Sequence, residues 1–214
     1  MTAPSFNYLH DPDAIYRESF AAIANATDVA ALPEDIRAVA LRIAHACGDG
    51  ASVDDLRWSD GAASAGRQAM ASGATILTDS RMVADGIIRR SLPADNRVLC
   101  TLGLGCVRGL AARGDTTRSA AAVELWAPWL DGAVVAIGNA PTALFRLLEG
   151  LAEGWPHPAL IVGMPVGYVG AAEAKQALID AAPAPFIALT GRRGGSAVAA
   201  AAINALAREQ DSAP

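Results

Sequence analysis

The feature that constrains this 214-residue chain most is an alternation of short apolar segments with helical segments, which begins at residue 61. The apolar segments predict strands at residues 75–78, 97–102, 133–137, 159–162 and 185–189. The segments around them predict helices at residues 61–72, 79–88, 117–129, 141–153, 171–180 and 195–208. Such alternation is typical of a mostly parallel sheet with helices on both faces, so we predict an α/β fold. No linker-like stretch divides the chain, which predicts one domain over residues 1–214.

Two helices and a weak strand precede this alternation. Asp11 and Pro12 begin a helix within residues 7–28, and its predicted apolar face carries Ile15, Phe20 and Ile23. Residues 52–58 alternate weakly between polar and apolar side chains and predict a strand.

The helix predicted between Pro33 and Asp49 has the clearest ends. Pro33 suits a first helical position, and Gly48 suits the stop. At about 100° per residue, one stripe of this helix faces the core. Its members are Ile36, Val39, Ala40, Ile43 and Cys47.

His45 lies on the opposite, mildly apolar side of that helix, in its last turn. We expect another subunit or a ligand to cover this side, because a solvated helix face normally carries charge. Two interpretations of His45 stay open at this point. It is either a helix-end histidine that interacts with the helix dipole or a group that transfers protons. His10 and His157 are predicted to be structural or solvent-exposed.

Composition excludes several classes of function. The formal charge of -5 and the lack of a Lys/Arg run argue against nucleic-acid binding. The three cysteines, Cys47, Cys100 and Cys106, fit neither a zinc motif nor a disulfide framework, so we expect reduced thiols and no metal site. The N-terminus has no signal-peptide pattern, and the apolar runs are far shorter than the roughly 20 residues that span a membrane. A cytoplasmic protein that does not enter membranes is expected.

Five loops are predicted to share one rim of the sheet, at the carboxyl ends of the strands or the starts of the helices that follow. They combine glycine with hydroxyl or amide side chains, and three of them carry arginine. The loops are residues 78–81, 114–119, 138–142, 163–170 and 190–196. Ligands bind at such rims, and helix N-termini and arginine favour anions, so the sequence predicts a site for a ligand with several acid groups. For any single loop, tight turns and solvated arginines are the alternative explanation.

Familiar catalytic motifs are missing or incomplete. The glycines of residues 103–109 are spaced wrongly for a dinucleotide-binding fingerprint, and no phosphate loop or nucleophile elbow is present. Cys47 and His45 diverge by about 200° on the helix, so they cannot form a nucleophile–base pair. His45 with an anion-binding rim suits an isomerase or lyase better than a redox enzyme or a hydrolase.

Six stretches in order along nearly the whole chain resemble the precorrin-8X methylmutase family of corrin-ring biosynthesis. They are residues 15–20, 44–48, 117–121, 138–144, 163–173 and 191–196. The segment 102–114 is the least family-like part and is predicted to be a variable loop. The resemblance implies a three-layer, flavodoxin-like fold and a homodimer with its site near the subunit interface. It also implies migration of a methyl group from C11 to C12 of precorrin-8X, which gives hydrogenobyrinate and needs no cofactor or metal.

The resemblance makes His45 the catalytic residue, which protonates the region of the ring-C nitrogen and eases a 1,5-shift. We further expect Arg118 and either Arg192 or Arg193 to pair with peripheral carboxylates of the macrocycle, and Tyr16 to pack against its ring. Hydrogen bonds to the substrate are expected from Ser19, Thr117, Asn139, the Gly194 and Gly195 amides, and Ser196.

Three other functions stay open from the sequence. They are a cobalt-precorrin-8 methylmutase, a tetrapyrrole-binding protein without turnover, and an isomerase or racemase of small phosphorylated acids.

Overall fold

A computed structural model describes residues 6–208 of the chain. Its strands are β1 Leu56–Trp58, β2 Ile76–Thr78, β3 Val98–Leu99, β4 Val134–Ile137, β5 Leu160–Gly163 and β6 Phe186–Leu189. Its α-helices are α1 Pro12–Ala26, α2 Glu34–Cys47, α3 Ala62–Ala71, α4 Arg81–Gly86, α5 Val107–Arg113, α6 Arg118–Val123, α7 Pro141–Ala152, α8 Ala171–Ala181 and α9 Ser196–Leu206. None of the helices in this part of the chain combines the length and the apolar character needed to cross a membrane.

The six strands form one sheet in the order β1-β6-β5-β4-β2-β3. Strands β2 to β6 are parallel to their neighbours, and β1 runs antiparallel along the edge of β6. Counted from β2, the parallel strands follow the order 2-1-3-4-5, which is that of flavodoxin. The predicted α/β class with a mostly parallel sheet is therefore confirmed.

Successive residues of the central strands point to opposite faces of the sheet, and each face has its own apolar core. On one face, Val134 and Ala136 of β4 pack with α2, α3 and α9. On the other face, Val135 and Ile137 pack with α7, α8 and the 3-10 helix Glu124–Trp129. Buried on both faces, these strands are apolar throughout, and the result is three layers.

Helix α2 ends where its sequence predicts and buries most of the predicted core face, although Cys47 is only partly buried. Ile36, Val39, Ala40 and Ile43 are fully buried, and Gly48 ends the helix in the left-handed conformation, with φ of +63°. Pro33 is the N-cap rather than the first helical residue, so the helix begins at Glu34, one position later than predicted.

Several boundaries differ from the predictions. Residues 50–53 form a 3-10 helix, since the Asp49 side chain accepts a hydrogen bond from the Ala51 amide, so only the second half of 52–58 is a strand. The predicted helix 117–129 changes to 3-10 geometry at Glu124, before Pro128, which has no amide hydrogen to donate. The predicted variable loop 102–114 contains α5. Ile15 is 44% exposed, so it does not belong to a buried face of α1.

Candidate active site

His45 lies at the C-terminal end of α2, where its side chain is exposed to solvent. Its imidazole stacks on the ring of Phe20 from α1, with centroids 5.1 Å apart and planes 18° from parallel. Phe20 is buried, so it gives one face of the imidazole a fixed support. The sequence predicted the orientation of His45 away from the core, but not its aromatic partner.

A cleft of about 430 Å³ lies between the two helices beside His45. It is lined by Ser19, Ala22, Ile23, Ala26, Ala44, His45, Gly48, Asp49 and Gly50. Ser19, which was predicted to contact substrate, is therefore on the wall of the same cleft as His45. The cleft exists because Gly48 ends α2 and Asp49 turns the chain into the following 3-10 helix.

Tyr16 continues the aromatic row beyond Phe20, with their ring centroids 4.4 Å apart. Its hydroxyl accepts hydrogen bonds from the guanidinium groups of Arg42 and Arg208, the latter at 3.2 Å. Arg42 also stands 5.4 Å from the Phe20 ring centroid. The phenol is thus held by protein groups, and only its ring remains to contact a ligand as predicted.

Arg193 connects the loop after β6 to the end of α2. Its guanidinium lies 3.3 Å from a carboxylate oxygen of Asp49 and 3.3 Å from one of Asp55. Because Asp49 also lines the cleft, this pair of contacts places the β6–α9 loop beside the cleft. The two carboxylates balance the charge of Arg193, so Arg192 is the better candidate of the two for a substrate carboxylate.

The rest of the β6–α9 loop is fixed mainly through its backbone. The Gly195 amide donates to the Met164 carbonyl at 2.9 Å, so this donor is already used within the protein. The Gly194 amide has no acceptor among residues 6–208. Arg192 lies over the ring of Tyr168, 5.2 Å from its centroid, and Tyr168 is 85% exposed.

Asp79, at the end of β2, holds the neighbouring loop after β4. Its buried carboxylate accepts hydrogen bonds from the amides of Gly138, Asn139 and Ala140 at 2.7–2.9 Å. Burial raises the pKa of Asp79, although the three amides oppose this shift. The sheet order reverses between β2 and β4, which is where ligands bind in such folds. These amides are occupied, so Asn139 can serve a ligand there only through its side chain.

Two of the hydroxyl groups predicted for substrate binding, those of Ser196 and Thr117, already have protein partners. Ser196 shares a hydrogen bond of 3.1 Å with Ser80. Thr117 caps α6 by accepting from the Ala120 amide, and it lies 2.8 Å from the Thr142 hydroxyl. These contacts fix the hydroxyl positions and leave each oxygen with limited capacity for a ligand.

Arg118 begins α6, is exposed, and forms no ion pair with any residue between 6 and 208. It lies with α6 and α7 on one face of the sheet, whereas His45 lies with α1 and α2 on the other. The predicted site residues thus form two groups along one rim, with Asn139 and Ser196 between them. In the same described range, no group of three His, Cys, Asp or Glu side chains is placed to hold a metal ion.

The sheet order and the loops at its rim define a doubly wound α/β protein. Its candidate ligand site lies at the carboxyl ends of its strands. A family model described as precorrin-8X methylmutase matches residues 14–209. A precorrin-8X methylmutase of Pseudomonas aeruginosa is 55% identical over 206 residues, which are 96% of this chain and 99% of that protein. A cobalt-precorrin-8 methylmutase of Methanothermobacter thermautotrophicus is 37% identical over 179 residues, 84% of this chain and 83% of that protein.

A solved structure of precorrin-8x methyl mutase from Thermus thermophilus is also similar, with 39% sequence identity and a TM-score of 0.80. The alignment covers 91% of this chain and 96% of that one. The chain belongs to the precorrin-8X methylmutase family and is an isomerase, a methylmutase, of cobalamin biosynthesis. The family implies a tetrapyrrole substrate, which disfavours an isomerase of small phosphorylated acids.

Proposed function

We propose that this chain converts precorrin-8X to hydrogenobyrinate by moving a methyl group from C11 to C12, with His45 as proton donor and acceptor. The observation that carries the proposal is the placement of His45, exposed on the wall of a cleft and stacked on buried Phe20. Imidazole both donates and accepts protons near neutral pH, so one side chain can serve both directions of transfer in a turnover.

In the proposed reaction, His45 gives a proton to the region of the ring-C nitrogen, and this polarises the macrocycle and eases the 1,5-shift of the methyl group. The C11–methyl bond breaks as the C12–methyl bond forms, and the proton then returns to His45. Substrate and product have the same atoms, so the step balances without any co-reactant. Phe20 restrains the imidazole plane, which reduces the orientations that His45 must give up when substrate binds.

The peripheral carboxylates of the macrocycle are proposed to bind along the rim. Arg118 supports this role because it is exposed and has no carboxylate partner between residues 6 and 208, and Arg192 because it is exposed beside Tyr168. The Gly194 amide supplies an unused donor on the same loop. Ser19 is proposed to contact the substrate from the cleft wall, and Asn139 from the switch point of the sheet.

A homodimer is part of the proposal, with the site near the interface. His45 and Arg118 lie on opposite faces of one sheet, so a ligand that contacts both extends along the rim. A second copy that covers the exposed side of α2 would enclose the part of the ligand beside His45. We also propose a cytoplasmic location, which the free thiols of Cys47, Cys100 and Cys106 support.

We propose the metal-free ring as the natural substrate, because the relative at 55% identity is named for precorrin-8X and the one at 37% for cobalt-precorrin-8. Offering both compounds to the purified protein distinguishes the two routes. A kcat/KM at least tenfold higher with the cobalt ring would reverse this assignment.

The proposal is tested by following turnover of precorrin-8X through its visible absorption, with identification of the product. General acid–base catalysis contributes about 100-fold to 10,000-fold in rate, so His45→Ala should lower kcat by at least about 100-fold. His157→Ala is the matched control, because His157 is also exposed but its ring contacts the Pro183 carbonyl elsewhere in the fold. Turnover by His45→Ala within a few-fold of wild type would refute the role of His45.

A further inference from the structure

Lys175 is the only lysine in the chain, and it is fully buried in α8. Its ammonium donates to the Arg193 carbonyl at 2.5 Å, and no carboxylate of residues 6–208 lies within ion-pair distance of it. Burial lowers the pKa of Lys175 to about 8, and the charge of Asp55 partly opposes this shift. A buried ammonium without a direct carboxylate partner is unusual, so its one strong hydrogen bond needs a structural explanation.

The hydrogen bond from Lys175 sets the orientation of the peptide between Arg193 and Gly194. In a trans peptide the carbonyl and the next amide hydrogen point in opposite directions. Because the Arg193 carbonyl points toward Lys175, the Gly194 amide points away from it. This amide donates to no acceptor among residues 6–208.

Backbone hydrogen bonds hold the loop on either side of the Arg193–Gly194 peptide. The Gly195 amide is bound by the Met164 carbonyl at 2.9 Å, and the Arg192 carbonyl accepts from the Gly167 amide at 3.4 Å. The loop is thus held on both sides of the Arg193–Gly194 peptide. Lys175 is the side chain that determines which way that peptide faces.

We propose that Lys175 is a positioning residue, whose charge turns the Gly194 amide outward as a hydrogen-bond donor to a peripheral carboxylate of the substrate. This inference rests on the proposed function, since it gives the Gly194 amide its ligand. The charged groups that face Lys175 are Asp55, Arg193 and, through Arg193, Asp49. Both carboxylates pair with Arg193. A carboxylate has no hydrogen to donate, so neither could take the place of Lys175 at the Arg193 carbonyl.

The test compares the dissociation constant of hydrogenobyrinate for wild type, Lys175→Met and Lys175→Gln. Lys175→Met removes the donor and should weaken binding at least tenfold, whereas Lys175→Gln keeps an uncharged donor and should lie between. Wild-type binding should weaken as the pH rises through about 8, since the ammonium loses its charge there, and Lys175→Gln should lack this change. Thermal unfolding is measured in parallel, because Lys175→Met leaves the Arg193 carbonyl without its donor and can also lower stability.

Equal binding by wild type and Lys175→Met would overturn the role of Lys175 while leaving the proposed function intact. Failure of wild type itself to bind hydrogenobyrinate would instead contradict the proposed function and, with it, the ligand assigned to the Gly194 amide. If Lys175→Met does not fold, the test uses wild type labelled with ¹³C at its single lysine. Its NMR resonance should shift with product bound, and an unchanged resonance would overturn the proposal.

Discussion

Gly194 has less room for a side chain than the other glycines of the β6–α9 loop, Gly191 and Gly195. A Cβ atom there would lie 2.4 Å from the Met164 carbonyl oxygen and 2.8 Å from that of Pro165, and both are backbone atoms. Ordinary contact begins at 3.4 Å, so the loop would have to move by about 1 Å. Its φ of +149° is also unfavourable for a residue with a side chain.

We therefore expect Gly194→Ala to be strongly destabilising. The backbone conformation costs about 1–3 kcal/mol and the steric overlap about another 1–3 kcal/mol, which gives a loss of about 2–6 kcal/mol in the free energy of unfolding. Gly191→Ala is the matched control in the same loop, because Gly191 has φ of +70° but open space around its Cβ position. Its loss should be about 1–2 kcal/mol.

Chemical denaturation of both variants, with the slope on denaturant compared as well as the midpoint, measures this difference. Gly194→Ala should also weaken hydrogenobyrinate binding more than Gly191→Ala, because it displaces the amide proposed to hold a carboxylate. Equal losses of stability in the two variants would refute the reasoning from the Met164 and Pro165 contacts.

Three further predictions follow from other contacts. Asp79→Asn should lower the free energy of unfolding by about 1–3 kcal/mol, because the new NH₂ group would face backbone amides that are themselves donors. The control Asp85→Asn, on the exposed surface, should change it by no more than about 0.5 kcal/mol. Equal denaturation midpoints for the two variants would contradict this prediction. Burial raises the pKa of the Cys47 thiol, so iodoacetamide should modify exposed Cys106 first near pH 8, and the reverse order by mass spectrometry would be inconsistent with the structure. Arg118→Ala should raise the dissociation constant of hydrogenobyrinate about tenfold or more, and unchanged affinity would remove Arg118 from the site.

The sequence predicts the elements that depend on local signals. Helix α2 has a proline at its start, an apolar stripe and a terminating glycine within one segment, and its end at Gly48 and most of its buried face are confirmed. The parallel sheet follows from the repeated alternation of strands and helices. By contrast, β1 pairs antiparallel with β6, and no local pattern in residues 52–58 reveals a partner so far along the chain.

The site residues that sequence reasoning missed depend on contacts between distant segments. Asp79 was predicted as the first residue of the helix 79–88, but its carboxylate binds the loop after β4, about 60 residues away. Arg193 was one of two alternatives, with Arg192, for a substrate carboxylate, and its pairing with Asp55 spans 138 residues. Lys175 carried a usable signal, because it is the only lysine and shares the helical face of buried Ala174 and Leu178.

Some expectations stay predictions. They are the single-domain organisation, the homodimer and the contacts to individual carboxylates, which are to be tested with the purified protein. The placement of His45 is the one feature on which the mechanism depends, because it supplies the only proton-transfer step.

The most direct measurement is a visible absorption titration of the protein with hydrogenobyrinate, run beside His45→Ala and His157→Ala. The account predicts a saturable spectral change in wild type that His45→Ala alters and His157→Ala leaves as it is. No spectral change at micromolar protein, with equilibrium dialysis also showing no binding, would contradict a corrin site beside His45.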